Sequence, residues 1–337
     1  MFAGALVHRL PSFSIPAAGG CKLGSRTTRP HIYALENFGI HISPGGDVWK
    51  ISHKKLKAAE VLMYESGDTA TENALFAAAG IAGTSVIKYA SANYQVQEIC
   101  HFLESLGVRI DGIGTTTLTV HGKKTINKNV THALAEDPTD AMFFLAAAIV
   151  TQSSITIKRV PIEFMELELY KLEKMGFRFD ILKRYKGRDG KLPLVDIKTH
   201  PGKLVASPEK LYGRPYPGLN IDNLPFFAVI AAMAKGTTLI HDWAYEGRAL
   251  YFTELNKLGA TLNLADPHRV FVTGPTAFKA NTLTCPPALR PAAILLVAML
   301  AARGTSTLKN IYSINRGYED LASKLSSLGA NIEVVEE

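Results

Sequence analysis

The stretch GTSVIKYASANYQVQEICHFLESLGVRI, residues 83–110, reads as strand, loop, helix, glycine and strand again. Gly107 falls just past the helix, where a left-handed cap would force a Cβ into a clash. The alternating apolar residues after it read as a strand. The closing phrase LESLGVRI (103–110) recurs as LENFGIHI (35–42), LEKMGFRF (172–179), LNKLGATL (255–262) and LSSLGANI (325–332). The glycines stand at 39, 107, 176, 259 and 329, at spacings of 68, 69, 83 and 70 residues. The opening phrase recurs too, as QSSITIK from Gln152, GTTLIH from Gly236 and GTSTLK from Gly304. Self-similarity at such a period marks a repeat architecture.

Fourteen residues before each opening phrase lies an expected helix start, at Thr69, Pro138, Asp222 and Arg290. Thr69 and Glu72 have the spacing of a capping box. Pro138 suits a first helical turn. Each unit is therefore expected to run helix, strand, loop, helix, strand. The first unit differs. Its strand, near 12–15, leads into a longer loop, PAAGGCKLGSRTTRP (16–30), with three glycines and a cysteine. Extra length of this kind suggests a functional loop. Counting back from Pro11 by the common interval lands upstream of Met1. The expectation is of a chain that starts inside its first helix.

The 337 residues are 47% apolar and 20% charged, enough for about two domains. The net charge of +7 fits an anionic ligand. The basic residues are scattered, and the cluster His53, Lys54, Lys55 and Lys57 reads as a solvated face, so nucleic acid is not the expected partner. The apolar run 2–7 is too short for a signal peptide, and no segment is long enough to span a bilayer. Segment 292–302 reads as a buried helix. Three cysteines without metal-ligand spacing or an even count suit a reducing compartment, and neither metal nor cofactor is expected.

Cys21 sits beside Lys22 and near Arg26, cations that favour the thiolate. Cys100 reads as core, and Cys285 has no evident role. Arg26, Arg248 and Arg316 fall 13, 11 and 13 residues before their unit glycines, near expected helix starts. Arginine there adds a bidentate fork to a site that already favours anions. Asp222 and Arg290 share one repeat position. Alone, Asp222 would read as a helix N-cap. His31 is the one histidine beside this constellation.

These residues resemble a family. GGCKLGSR (19–26) is similar to the flexible cysteine loop of the UDP-N-acetylglucosamine enolpyruvyl transferases. RPYPGLNIDNLPFF (214–227), AYEGRALYFTELNKLGA (244–260) and IYSINRGYEDLASKLSSLGA (311–330) resemble three further motifs. The resemblance implies an α/β fold of two lobes, each an inside-out α/β barrel of three repeats, with five of the six repeats present. The expected lobes are 1–134 and 135–337. It implies transfer of the enolpyruvyl group from phosphoenolpyruvate to the sugar 3-hydroxyl. That reaction belongs to cytoplasmic peptidoglycan precursor synthesis, hence to cell-wall biogenesis, cell shape and division. Under the resemblance Cys21 is the general acid and Asp222 handles the hydroxyl proton. Arg26, Arg290 and Arg316 hold phosphoenolpyruvate and phosphate. Arg26, Thr27, Thr28, Arg29, Pro30, Gly67, Asp68, Thr69, Asp222 and Ala244 line the UDP-sugar. Arg248 and His31 are further candidates.

The chain departs from the family in four ways. Its first repeat, with a Lys-Asn pair, is not found, and the Arg opening the next repeat falls upstream of Met1. Glu65 stands where a Lys is expected, beside Gly67, Asp68 and Thr69. Ala288 replaces an Asp. The expectations are an incomplete first lobe, an N-terminal segment as its packing partner, and poor turnover by this chain. The alternatives are a non-catalytic paralogue that binds anions or a nucleotide sugar, and a transferase with another acceptor.

Overall fold

The computed structural model describes residues 1–16, 23, 27–188 and 190–335. They form two compact units: 1–16 with 27–135 and 215–217, and 23, 136–188 and 190–214 with 218–335. The first unit runs α1 (Phe2–Leu6), β1 (Ser12–Pro16), α2 (Arg29–Glu36), β2 (Ile40–Gly45), β3 (Val48–His53) and β4 (Glu60–Leu62). It continues with α3 (Asp68–Ala79), β5 (Gly83–Lys88), α4 (Tyr94–Ser105), β6 (Arg109–Asp111) and β7 (Thr117–Gly122). One sheet has the order β1-β3-β2 and is antiparallel. The other has the order β4-β5-β7-β6, with only β4 and β5 parallel. The alanine-rich α3 is buried almost all round, as a helix apolar on every face must be. It packs against α1, α2 and α4.

The second unit runs α5 (Pro138–Val150), β8 (Thr156–Pro161), α6 (Glu166–Lys174), β9 (Arg178–Lys186), β10 (Pro193–His200) and β11 (Leu211–Tyr212). Then come α7 (Leu224–Met233), β12 (Gly236–His241), α8 (Arg248–Phe252), β13 (Thr261–Asp266) and β14 (Arg269–Gly274). The last elements are β15 (Thr282–Thr284), α9 (Leu289–Ala301), β16 (Thr307–Lys309), α10 (Tyr312–Asn315) and α11 (Leu321–Ser327). Its sheets have the orders β8-β10-β9, β11-β12-β14-β13 and β15-β16. The central helices α5, α7 and α9 pack on one another through Phe143, Phe226, Phe227 and Leu295, all fully buried. Each such side chain contributes about 1.5–3 kcal/mol. Among the described residues no helix is long and apolar enough to cross a membrane.

The repeated phrases adopt repeated backbone shapes. Gly39, Gly107, Gly176, Gly259 and Gly329 take φ of +85°, +91°, +91°, +90° and +97°. The opening residues Gly83, Gly236 and Gly304 are also positive, and Gln152 at the same place has φ of 53°. Pro138 begins α5, and Asp137 caps it by accepting from the Thr139 amide. Segment 292–302 lies in and just beyond α9.

Four local expectations fail. Thr69 and Glu72 form no capping box: α3 starts at Asp68 after Gly67, without a side-chain cap, and Glu72 is buried. Asp222 is not a helix cap, because α7 starts at Leu224 and Asn220 closes the preceding turn onto the Asp222 amide. Arg316 follows the end of α10 instead of opening a helix. Among the described residues no strand follows Gly329. The strands after the four earlier glycines each pair with the next strand in sequence.

Candidate functional site

Cys21 and Arg26 lie outside the described residues. The other candidates divide between the two units. In the first unit, Thr28 precedes α2, Pro30 occupies its first turn and the Thr27 hydroxyl accepts from the Arg29 amide at 3.2 Å. His31 on α2 reaches across to α3. Its Nδ1 is 3.2 Å from Asn73 Nδ2 and its Nε2 is 3.4 Å from Thr69 Oγ1. Burial and, less strongly, the Met1 amine lower its pKa, which favours the neutral ring. Asn73 is held in turn by the Gly4 amide at 2.7 Å. The sequence candidates 27–31 and Thr69 are thus brought together by one histidine.

The Asp68 carboxylate accepts from Ser91 Oγ at 2.5 Å and Asn93 Nδ2 at 3.0 Å. It sits in the first turn of α3, where the helix dipole stabilises a negative charge. Glu72, one turn on, has its pKa raised to about 7 by burial and by Asp68, against the pull of the Met1 amine. The start of α3 is therefore acidic.

In the second unit, the loop before α7 carries Asp222. Arg248 at the start of α8 is 1% exposed and forks onto Asp242, Nε to Oδ2 at 2.5 Å and Nη2 to Oδ1 at 2.9 Å. Its Nη2 also donates to the Ile221 carbonyl at 2.6 Å, and Nη1 lies 3.5 Å from Asp222 Oδ1. Burial pushes the Asp242 carboxyl up, while the paired guanidinium pulls it down. Arg248 therefore faces inward onto carboxylates, and the expectation of an anion donor at this position is corrected. Ala244 lies half-buried between Asp242 and Arg248.

Arg290 on α9 donates from Nη1 to Tyr318 Oη at 2.9 Å and from Nη2 to Thr139 Oγ1 at 2.8 Å. Burial pushes the Tyr318 hydroxyl up to about 12, so it stays protonated at neutral pH. Arg316 is exposed two residues before it. A cavity of about 770 Å³ opens elsewhere in this unit, lined by Asp137, Asp140, Phe144, Ile157, Arg159 and Lys324 among others. None of Asp222, Arg248, Arg290 and Arg316 lines it.

Sequence reasoning missed three groups around Asp222. Asp242 gave no signal, because a lone acid after a strand looks like any turn residue. Glu168 on α6 is buried and accepts from the Asn220 amide at 3.1 Å and Asn223 Nδ2 at 3.0 Å. Burial raises its pKa, and these hydrogen bonds lower it in part. Asn220 itself was readable, since an Asn two residues ahead of a helix-start Asp is a common turn former.

Comparison with known proteins identifies the family. A family model described as EPSP synthase (3-phosphoshikimate 1-carboxyvinyltransferase) matches residues 3–325. The chain is 31% identical to a UDP-N-acetylglucosamine 1-carboxyvinyltransferase of Treponema denticola, covering 100% of this chain and 77% of that protein. It is 32% identical to the protein of that name from Bradyrhizobium diazoefficiens, with the same coverage. The enolpyruvyl transferase NikO of Streptomyces tendae shares the fold at a TM-score of 0.82 and 24% identity, over 98% of this chain and 76% of that one. An EPSP synthase of Acinetobacter baumannii does so at 0.72 and 18%, over 99% and 78%. The chain thus spans about three quarters of the length of these proteins and belongs to the enolpyruvyl (carboxyvinyl) transferase family.

Proposed function

We propose that this chain transfers the enolpyruvyl group of phosphoenolpyruvate to the 3-hydroxyl of UDP-N-acetylglucosamine, releasing phosphate, in the cytoplasm and as the first committed step of peptidoglycan precursor synthesis. The observation that carries this reading is the 31–32% identity, over the whole chain, to relatives bearing that activity in their names. In this reading Cys21 donates a proton to the phosphoenolpyruvate methylene and Asp222 takes the proton of the attacking hydroxyl. Such a pair splits the proton transfers between one acid and one base. Arg26, Arg290 and Arg316 hold the phosphate and carboxylate, where fixed cations stabilise developing charge. Thr27, Thr28, Arg29, Pro30, Gly67, Asp68, Thr69 and Ala244 line the nucleotide sugar, with His31 behind them. The two lobes, 1–134 and 135–337, and the count of five repeats belong to the same reading.

The test is phosphate release that requires both substrates, with the sugar product identified by mass spectrometry. Release with phosphoenolpyruvate alone, or none at all, rejects the reading. One observation favours a different acceptor. Glu65 and Asp68 flank Gly67, where the resemblance implies a diphosphate, and a Cβ on Gly67 would lie 3.1 Å from Glu65 Oε1. Acids at that spot repel a diphosphate. Turnover with an uncharged amino sugar but not with UDP-N-acetylglucosamine would favour that second reading.

A further inference from the structure

Arg248 is the largest fully buried side chain among the described residues, and it is ionic. A buried ion pair is weak evidence for stability, since apolar replacements are often neutral or better. Its contacts suggest another purpose. Asp242, 1% exposed, follows β12 directly, and its amide donates to the His268 carbonyl at 2.7 Å. His268 Nδ1 lies 3.0 Å from the Asp242 carbonyl. The acid is therefore anchored to the sheet at both backbone groups. It accepts from Nε and Nη2, one edge of the Arg248 guanidinium, while the Tyr245 ring covers the guanidinium face at 4.2 Å. With its fork fixed, Arg248 has two remaining targets, the carbonyl of Ile221 and the carboxylate of Asp222. On the other side the Asn220 side chain holds the Asp222 amide at 2.9 Å, and Glu168 on α6 holds Asn220.

We propose that Asp242 and Arg248 are positioning residues: Asp242, acting through Arg248, fixes the direction in which Asp222 presents its carboxylate. The proposal rests on Asp222 being the acceptor of the hydroxyl proton. Arg248 is enclosed, so its effect reaches the reaction through Asp222 and not through substrate. A carboxylate displaced by about 1 Å loses on the order of 10²-fold in rate.

The test combines rates with structures of the 337-residue chain. Asp242→Asn and Arg248→Lys should lower kcat by roughly 10- to 100-fold and leave KM for the nucleotide sugar within about twofold. In an Asp222→Asn background the same changes should cost nothing further. A loss that persists undiminished in that background overturns the proposal, as does a loss confined to KM. Crystal structures of the variants test the brace independently of turnover. The Asp222 carboxylate should turn away while the Glu168–Asn220 contact stays, and an unmoved Asp222 overturns the proposal. If the single variants fail to fold, the double variant Asp242→Leu with Arg248→Met keeps the core filled and takes their place. If Asp222→Asn alone leaves kcat unchanged, the proton-acceptor reading fails, and the crystal structures then judge the brace by itself.

Discussion

Arg290 Nη2 donates to Thr139 Oγ1 at 2.8 Å, joining the first turns of two helices that are 151 residues apart in sequence. With Nη1 on Tyr318, the guanidinium plane is set by α5 and by the segment after α10 at once. Arg290→Met should lower turnover by about 10²–10³-fold, the scale of losing one preorganised donor. Thr139→Val keeps the cation but frees its plane, and should cost about tenfold. Equal losses from the two variants, in the same phosphate-release assay, would argue that Arg290 serves only to tie the helices together.

Cys21 should react with a neutral alkylator before the other two cysteines. Cys100 is 1% exposed and Cys285 is 8% exposed. Burial raises the Cys285 thiol to about 11, which leaves little thiolate at neutral pH. Peptide mapping after brief labelling checks this. Cys285 labelled first, or three equal signals, would remove the basis for Cys21 as the general acid.

Glu72 makes stability depend on pH. Its folded pKa of about 7 lies above the ordinary 4.5, so the folded state holds the proton more tightly. The stabilisation is complete below about 4.5 and is lost as pH rises to about 7. The loss should be on the order of 2 kcal/mol, read from urea midpoints across that window. Glu72→Gln should flatten the slope. An unchanged slope in the variant would assign the pH dependence to another group.

Two glycine substitutions should differ in size. A Cβ at Gly122 would lie 2.1 Å from the Ile81 carbonyl oxygen and 2.2 Å from that of Ala78, so Gly122→Ala must push α3 off the sheet. At Gly329 the space is open and only the φ of +97° resists. Gly329→Ala should cost about 1 kcal/mol and Gly122→Ala about 3 kcal/mol or more. Denaturant midpoints that rank the two the other way would contradict the packing at the end of α3.

The repeat was readable because its key positions are conformational. A residue with φ near +90° is nearly always glycine, so the backbone writes itself into the sequence at 39, 107, 176, 259 and 329. Asp222 and Arg290 became candidates because they share one place in that repeat. What failed was local chemistry whose outcome depends on tertiary packing. Thr69 and Glu72 have capping-box spacing, but the helices packed on α3 bury Glu72. Asp222 looks like a cap until Asn220 closes the turn ahead of it. Asp242 and Glu168 left no trace, because burial of an acid follows from neighbours distant in sequence.

Gln152 stands where three sister phrases have glycine, and it keeps their left-handed turn at φ of 53°. The position therefore keeps one shape while its residue differs between copies. Gln152 shows what such a difference can recruit. Its Nε2 donates to the Ile149 carbonyl at 2.8 Å, and its Oε1 accepts from the Gly202 amide at 3.1 Å, fifty positions away. Each copy of the turn is thus a socket into which a new staple can be fitted without redrawing the sheet. Divergence among the copies can begin there, at the corners, while the layers beneath keep their common plan.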